Sequence, residues 1–149
     1  GASKRLELLA EGANKIAYKD FAHSPSKVKA TTNAVKEQYP DKKLIAFLEL
    51  HTYSSFNPEF LKEYQGALDA ADEAIVFYLP ESVAIKKLNP VSEEQIKIAF
   101  NRDNLQTYTD TNSFKEMVFE KNYENCVGLF MSSGNYGGLD LEKVKDLFS

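Results

Sequence analysis

Short apolar runs alternate with amphipathic segments along most of the chain, a pattern typical of a parallel sheet with crossover helices. Parallel strands are predicted over residues 15–22, 44–50, 74–79, 105–109 and 126–132. Most of these runs are nearly continuous in apolar residues, as expected of strands covered on both faces. Residues 5–12 precede a turn at Ala13 and Asn14, and they predict one additional antiparallel strand at the N-terminal side.

Amphipathic segments between the strands predict helices, and most of them begin with a recognisable start signal. These signals are Ser24 before Pro25, Asn57 before Pro58, Ser92 with Gln95 three residues later, and Asp140. The second helix is expected to carry the apolar stripe Phe60, Leu61, Tyr64 and Leu68. The prediction is an α/β fold: a Rossmann-like three-layer domain of about six strands, five parallel and one antiparallel, with helices on both faces.

Composition favours a single soluble domain and removes several classes of partner. The chain has 149 residues, of which 43% are apolar and 27% charged. Its net charge of -4 is spread without long runs of one sign, so nucleic acid is not expected as a partner. No apolar stretch approaches the roughly 18 residues of a membrane span, so no membrane partner is expected either.

The single cysteine and the N-terminus bear on location and boundaries. Cys126 lies in an apolar run, which predicts a buried side chain and a reducing compartment, and we expect a cytoplasmic protein. Residues 1–3 are expected to remain from an expression vector, which leaves 4–149 as the domain.

Three polar loops follow predicted strands and carry the candidate chemistry. They span residues 20–26, 51–57 and 132–138, and they contain both histidines of the chain, His23 and His51. The carboxyl ends of parallel strands share one edge of a sheet, where ligands of open α/β folds bind. A loop histidine is also commonly an ordinary surface residue, so both readings stay open.

The loop over residues 132–138, called the glycine loop below, contains three glycines within five residues. A tight turn explains one or two of them, whereas three predict backbone N–H groups that approach a ligand. The sequence has no GxxxxGK[ST] phosphate loop, no GxGxxG motif after its first strand, no GxSxG elbow and no metal-ligand cluster. We therefore expect a binding edge without a catalytic residue or a metal site.

Residues 6–40 resemble the opening of the C-terminal domain of Mur ligases, the ATP-dependent enzymes that build the muropeptide of bacterial cell walls. The resemblance rests on Asp20-Phe21-Ala22-His23-Ser24-Pro25-Ser26 followed by Lys29-Ala30-Thr31. Residues 45–55, 67–80 and 130–140 resemble later strands and loops of the same domain. One departure is Ser24, which stands where the family usually has a second histidine.

Within the family, the Gly-Gly ending of the glycine loop resembles the branch that joins UDP-N-acetylmuramate to a murein tripeptide, L-alanyl-γ-D-glutamyl-meso-diaminopimelate, during cell-wall recycling. The branch that adds L-alanine has a His-Arg-Tyr-Ser-Arg segment, and here it reads His51-Thr52-Tyr53-Ser54-Ser55 without either arginine. The alternatives are that L-alanine branch and, from another class, a stand-alone flavodoxin-like binding or signalling module.

The resemblance implies a fragment of a three-domain enzyme, whose N-terminal and central ATP-binding domains are absent from this chain. In such enzymes ATP phosphorylates the muramate carboxylate, and the amine of the incoming peptide attacks the acyl phosphate. ATP and Mg are expected to be held mainly by the central domain, so the isolated fragment is expected to be inactive.

The resemblance also implies roles for individual residues, and it implies no catalytic residue in this fragment. Nucleotide contacts are expected from Asp20, Phe21 and His23. Contacts to the incoming peptide are expected from His51, Tyr53, Ser54, Asn57, Ser133, Gly134, Asn135, Tyr136, Gly137 and Gly138.

Overall fold

The described part of the chain forms a six-stranded sheet with the order β1-β2-β6-β3-β4-β5. The computed structural model describes residues 6–51, 57–79 and 91–149. The strands are β1 (Glu7–Glu11), β2 (Ile16–Asp20), β3 (Lys43–Glu49), β4 (Glu73–Phe77), β5 (Gln106–Tyr108) and β6 (Cys126–Met131). Strand β1 pairs with β2 in the antiparallel sense, and every other neighbouring pair is parallel. The predicted fold class is confirmed.

Helices cover both faces of the sheet. They are α1 (Pro25–Gln38), α2 (Pro58–Leu61) with a 3-10 turn over Lys62–Tyr64, α3 (Glu93–Phe100), α4 (Thr111–Glu120) and α5 (Leu141–Leu147). Apolar side chains of α1 and α3 pack in one cluster on the sheet, and those of α4 and α5 pack in a second cluster. No helix within the described ranges is long and apolar enough to cross a membrane.

Start signals in the sequence correspond to real helix starts. Ser92 and Gln95 form a complete capping box, and the side chain of Asp140 accepts the backbone N–H of Glu142. Ser24 occupies the N-cap position of α1, but its side chain makes no capping hydrogen bond. Local sequence therefore sets where most of these helices begin.

The second helix is shorter than its apolar stripe predicted. Helix α2 has only four residues, and the chain continues through the 3-10 turn towards Gly66. Gly66 has a φ of +76°, a left-handed conformation that a right-handed helix cannot include. Leu68 is still buried in the core, although it is reached by turns and not by a continuous helix.

Strand order determines which loops meet at the carboxyl edge of the sheet. Strand β6 lies between β2 and β3, so the glycine loop that follows it emerges between the loops that follow β2 and β3. Sequence reasoning placed these loops at one edge, and the observed order puts the glycine loop in the middle.

The amino edge of the sheet carries a separate network of charges. Glu73 pairs with Lys43 and Lys121, while Arg102 donates to the backbone carbonyls of residues 68, 71 and 72. Arg102 is thus engaged at the edge opposite the three candidate loops.

Candidate functional site

Ser132 connects the three strand ends that carry the candidate loops. Its backbone N–H donates to the Asp20 carbonyl over 3.1 Å, which joins the end of β6 to the end of β2. Its hydroxyl donates to Oε1 of Glu49 over 2.5 Å, which joins the same residue to the end of β3. The first residue of the glycine loop therefore bonds to both neighbouring strand ends.

Glu49 is a buried carboxylate at this edge, and sequence reasoning did not single it out. It is 3% exposed, and its Oε1 accepts both the Ser132 hydroxyl and the backbone N–H of Tyr136, the latter over 2.9 Å. The available signal was an acidic residue that interrupts the apolar run of β3 at its carboxyl end. Buried charges need such hydrogen-bond partners, because desolvation penalises them heavily.

Tyr136, which was expected among the peptide contacts, instead anchors the glycine loop to the core through its side chain. The residue is 3% exposed, and its hydroxyl donates to the Phe47 carbonyl over 2.7 Å. Its ring stacks on Phe114 with centroids 5.5 Å apart. Burial, followed by the negative charge of Glu49, raises the pKa of the Tyr136 phenol well above its ordinary value. The hydroxyl is thus a buried structural donor.

Several backbone N–H groups of the glycine loop already have hydrogen-bond acceptors inside the protein. The Gly134 N–H donates to the Ser132 hydroxyl over 2.8 Å, and the Gly138 N–H donates to the Asn135 carbonyl over 3.0 Å. With the Tyr136 N–H bonded to Glu49, these three donors are already satisfied. Two of the three glycines expected to offer N–H groups to a ligand, Gly134 and Gly138, therefore already use them inside the protein.

Glycines at 137 and 138 are required for the turn itself. Gly137 has a φ of +67° and Gly138 a φ of +96°, and Tyr136 before them has a φ of +55°. A Cβ atom at Gly137 would come within 2.8 Å of the Thr111 Oγ1 atom on α4. The glycine run serves a left-handed turn packed closely against α4.

The surface of the glycine loop also offers polar side chains. Asn135 is exposed, and Lys115 of α4 places its Nζ atom 3.8 Å from the position that a Gly138 Cβ would occupy. The Ser133 hydroxyl oxygen is buried and has no hydrogen-bond partner in the described part of the chain. A bound group or a water molecule that reached this oxygen would satisfy it.

The loop after β2 presents an aromatic pair. Phe21 is 55% exposed, and its ring meets the His23 ring edge-on with centroids 5.3 Å apart. The His23 Nδ1 atom lies 2.9 Å from the Phe21 carbonyl, a contact that requires a proton on this nitrogen. Asp20 is 3% exposed and accepts the Ala22 N–H, so its carboxylate shapes the turn.

A hydrogen bond to its backbone carbonyl also fixes the position of His23. The hydroxyl of Tyr64, on the 3-10 turn after α2, donates to the His23 carbonyl. The Tyr64 ring is buried and stacks on Phe100 of α3 with centroids 5.0 Å apart. The loop after β2, which carries the expected nucleotide contacts, is therefore attached to the core, and Phe21 and the His23 ring lie at its surface.

The loop after β3 is described at its two ends. The His51 side chain is 51% exposed, and its Nδ1 atom lies 3.8 Å from Oε2 of Glu49. The Asn57 side-chain oxygen caps α2 by accepting the N–H groups of Glu59 and Phe60, which commits this oxygen to the fold. Tyr53 and Ser54, also expected at the site, lie outside the described residues.

Within the described ranges, no group of three histidine, cysteine or acidic side chains is placed to hold a metal ion. Cys126 is buried, and burial raises the pKa of its thiol.

Comparison with known proteins relates the sequence to one group of enzymes. No protein-family model matches the chain. The UDP-N-acetylmuramate–L-alanine ligase of Leuconostoc citreum is 31% identical in an alignment of 135 positions that covers 85% of this chain and 26% of that protein. The ligase of the same name from Lactiplantibacillus plantarum is 26% identical over 129 residues, 87% of this chain and 27% of that protein. The chain thus spans about a quarter of the length of these curated relatives.

Solved structures with the same fold carry related names. A domain assigned to a UDP-N-acetylmuramate:L-alanyl-γ-D-glutamyl-diaminopimelate ligase of Haemophilus ducreyi superposes with a TM-score of 0.62 at 23% identity, and the match covers 97% of this chain and 100% of that domain. A murein peptide ligase of Psychrobacter arcticus gives a TM-score of 0.71 at 16% identity, and the match covers 96% of this chain and 29% of that protein. At such low identities these likenesses establish the fold.

Fold and site together define a Rossmann-like α/β domain with its candidate ligand loops gathered at one sheet edge. Its relatives in sequence are named as UDP-N-acetylmuramate–L-alanine ligases, and its neighbours in structure, which are named as murein peptide ligases or their domains, share this fold.

Proposed function

We propose that the chain is the C-terminal domain of an ATP-dependent ligase that joins UDP-N-acetylmuramate to the amine of a murein tripeptide in cell-wall recycling. Its role is to close over the nucleotide held by a central domain and to aim the incoming amine at the activated carboxylate. Catalysis by such a domain consists of positioning and of excluding water. The proposal includes a cytoplasmic location and partner domains on the N-terminal side.

The observation that carries this proposal is the connection of three strand ends through Ser132. Its bonds to Asp20 and Glu49 join the start of the glycine loop to the ends of β2 and β3, from which the expected nucleotide and peptide contacts follow. Strand ends joined in this way suit a domain that must hold two ligands next to each other.

On the nucleotide side, the exposed Phe21 ring offers an apolar face for a base or a ribose, and the His23 ring offers its Nε2 atom to a polar group. The Nδ1 atom of His23 is directed to the Phe21 carbonyl, which leaves Nε2 for a ligand. ATP therefore fits the residues at this end, where it would supply the activating phosphoryl group. Mg would be held with the phosphates by the central domain.

On the peptide side, the missing arginines make other groups necessary for a carboxylate. The chain has two arginines, Arg5 and Arg102, and Arg102 is engaged at the opposite edge. Lys115 beside Gly138 brings a positive charge to the end of the glycine loop, next to the exposed Asn135. We assign Lys115 and Asn135 to the distal carboxylate of the peptide, in place of the backbone N–H groups.

Addition of L-alanine is the second candidate function, and the names of the curated relatives favour it. The tripeptide is preferred here because the glycine loop ends in Gly137-Gly138 and the loop after β3 has no arginine for the carboxylate of a small amino acid. Remote binding energy is what can select a tripeptide over free alanine, since both present the same reacting end.

The test is a competition assay in which the full-length enzyme is given both tripeptide and L-alanine. The amount of each ATP-dependent product is measured. We expect tripeptide to be used preferentially, Lys115→Met and Asn135→Ala to weaken its use, and Lys143→Met on exposed α5 surface to serve as the matched control. Preferential use of L-alanine would establish the second candidate. If Lys115→Met and Asn135→Ala both keep the full preference for tripeptide, the residues that select it lie in the loop after β3.

The nucleotide assignment has its own variant. In the full-length enzyme, His23→Ala is expected to raise the KM for ATP, because it removes a hydrogen bond worth about 1.5–3 kcal/mol when charge-assisted. Unchanged ATP kinetics would make His23 an ordinary loop residue.

A further inference from the structure

The buried carboxylate of Glu49 lies beneath the exposed side chains of the candidate site. It is the last residue of β3, a strand that is otherwise apolar and buried after Lys43. A leucine at this position would avoid the desolvation of a charge, so apolar packing does not explain an acidic residue here. Its hydrogen bonds indicate what it does.

One oxygen of Glu49 sets the shape of the glycine loop. Oε1 accepts the Ser132 hydroxyl over 2.5 Å and the Tyr136 N–H over 2.9 Å, and the Ser132 hydroxyl in turn accepts the Gly134 N–H over 2.8 Å. Tyr136 has a left-handed φ of +55°, which a tyrosine adopts only when its surroundings hold it there. The carboxylate therefore fixes the loop at residues 132, 134 and 136.

The other oxygen of Glu49 faces the loop after β3. Oε2 lies 3.8 Å from the Nδ1 atom of His51, which is too long for a hydrogen bond and places the carboxylate beside the imidazole ring. Gly134 packs against the same ring, because a Cβ atom there would lie 3.0 Å from His51 Cγ and 3.1 Å from Glu49 Oε1. Loop backbone, imidazole and carboxylate thus form one packed group.

We propose that Glu49 is a positioning residue for the amine substrate, which holds the glycine loop and His51 as one preformed surface. The inference rests on the proposed function. Glu49 is 3% exposed, so it acts through the residues that it holds and not by touching the substrate. Because such a surface is already ordered before binding, the substrate binds it with a smaller loss of conformational entropy.

The direct test is residue-resolved amide hydrogen exchange on this chain in four forms: wild type, Glu49→Gln, Glu49→Leu and Asp72→Asn. Glutamine keeps an acceptor oxygen for Ser132 and Tyr136, whereas leucine removes it. Asp72 is the matched control, because its carboxylate accepts a backbone N–H, that of Leu44, at the opposite edge of the sheet. Amides of β6 are the internal reference for global unfolding.

In Glu49→Leu, we expect the Tyr136 amide to exchange about 10- to 100-fold faster relative to the β6 amides, as loss of a hydrogen bond to a charged group implies. Glu49→Gln should restore most of the protection, and Asp72→Asn should leave the ratio unchanged. An unchanged ratio in Glu49→Leu, or a rise shared equally by all amides, overturns the proposal.

Ser132→Ala keeps the proposal testable if Glu49→Leu does not fold. This variant should accelerate exchange at Gly134, which loses its acceptor, while the Tyr136 amide stays protected by Glu49. The same rate at Gly134 as in the wild type would contradict the arrangement.

The kinetic arm uses the full-length ligase. Glu49→Leu should raise the KM for the amine substrate by about tenfold, Glu49→Gln should recover most of it, and the KM for ATP should stay within about twofold. Equal losses for both substrates overturn the positioning role. Altered exchange at Tyr136 in a protein without ligase activity would refute the proposed function while the Glu49 contacts to the loop stand.

Discussion

Substituting Gly137 with alanine tests whether the glycine loop is shaped by its backbone and by α4 together. Gly137 has a φ of +67°, where an L-residue costs about 1–2 kcal/mol relative to glycine. The added Cβ atom would also lie 2.8 Å from Thr111 Oγ1 and 3.3 Å from Thr111 Cγ2. Relieving such a contact in a packed region typically costs about 1–3 kcal/mol more. We therefore expect Gly137→Ala to reduce the free energy of unfolding by about 2–5 kcal/mol.

Gly66 provides the matched control, since its φ of +76° is similar and a Cβ atom there would have its nearest contact at 3.4 Å, with the Asp69 carboxylate. Gly66→Ala should therefore show only the backbone cost of about 1–2 kcal/mol. Urea unfolding monitored by circular dichroism gives both values, provided that the m-value is unchanged.

A double-mutant cycle then isolates the steric part of the Gly137 effect. In a Thr111→Ala background both contacting atoms are gone, so Gly137→Ala should cost no more than Gly66→Ala. If Gly137→Ala is no more harmful than Gly66→Ala, or if Thr111→Ala does not relieve it, the close packing of the loop on α4 does not constrain this position.

Three further predictions concern the core, the charges and the nucleotide. Tyr136→Phe should lower the unfolding free energy by about 1 kcal/mol, because the bond to the Phe47 carbonyl is lost; an unchanged urea midpoint would contradict this. Burial raises the pKa of Glu73, but hydrogen bonds from Lys121 and Lys43 outweigh it and hold the pKa below its usual value. This stabilisation is complete above about pH 4.3 and is lost as the pH falls through the pKa of Glu73 in the folded protein. The free energy of unfolding of Glu73→Gln should therefore decrease less than that of the wild type as the pH is lowered through this range. The isolated chain should bind ATP only weakly, and calorimetric affinity in the micromolar range or tighter would refute the sharing of the nucleotide with another domain.

Sequence patterns predicted the elements well where local chemistry determines them. The capping box of Ser92 and Gln95 and the cap at Asp140 are local interactions, and both are present. The second helix was predicted too long, because the apolar stripe to Leu68 gave no warning that Gly66 turns left-handed.

The sequence predicted which strand ends share one edge of the sheet, but it predicted the hydrogen bonding of the glycine loop less well. Parallel strands end at one edge of the sheet, and the structure places the ends of β2, β6 and β3 side by side there. The glycine run suggested free N–H donors, but those of Gly134 and Gly138 bond within the loop. Glu49 was missed because its role depends on the strand order β2-β6-β3, which pairwise packing decides and local pattern does not.

The burial of Tyr136 next to the exposed Asn135 has a consequence for how such a domain can diversify. Residues that hold the loop are inside the protein, whereas neighbouring residues at its surface contribute little to the core. Surface substitutions of that kind usually change stability by no more than about 0.5 kcal/mol. Substitutions at the exposed Asn135 should therefore change the surface of the loop with little loss of stability, as long as the buried Tyr136 next to it is kept.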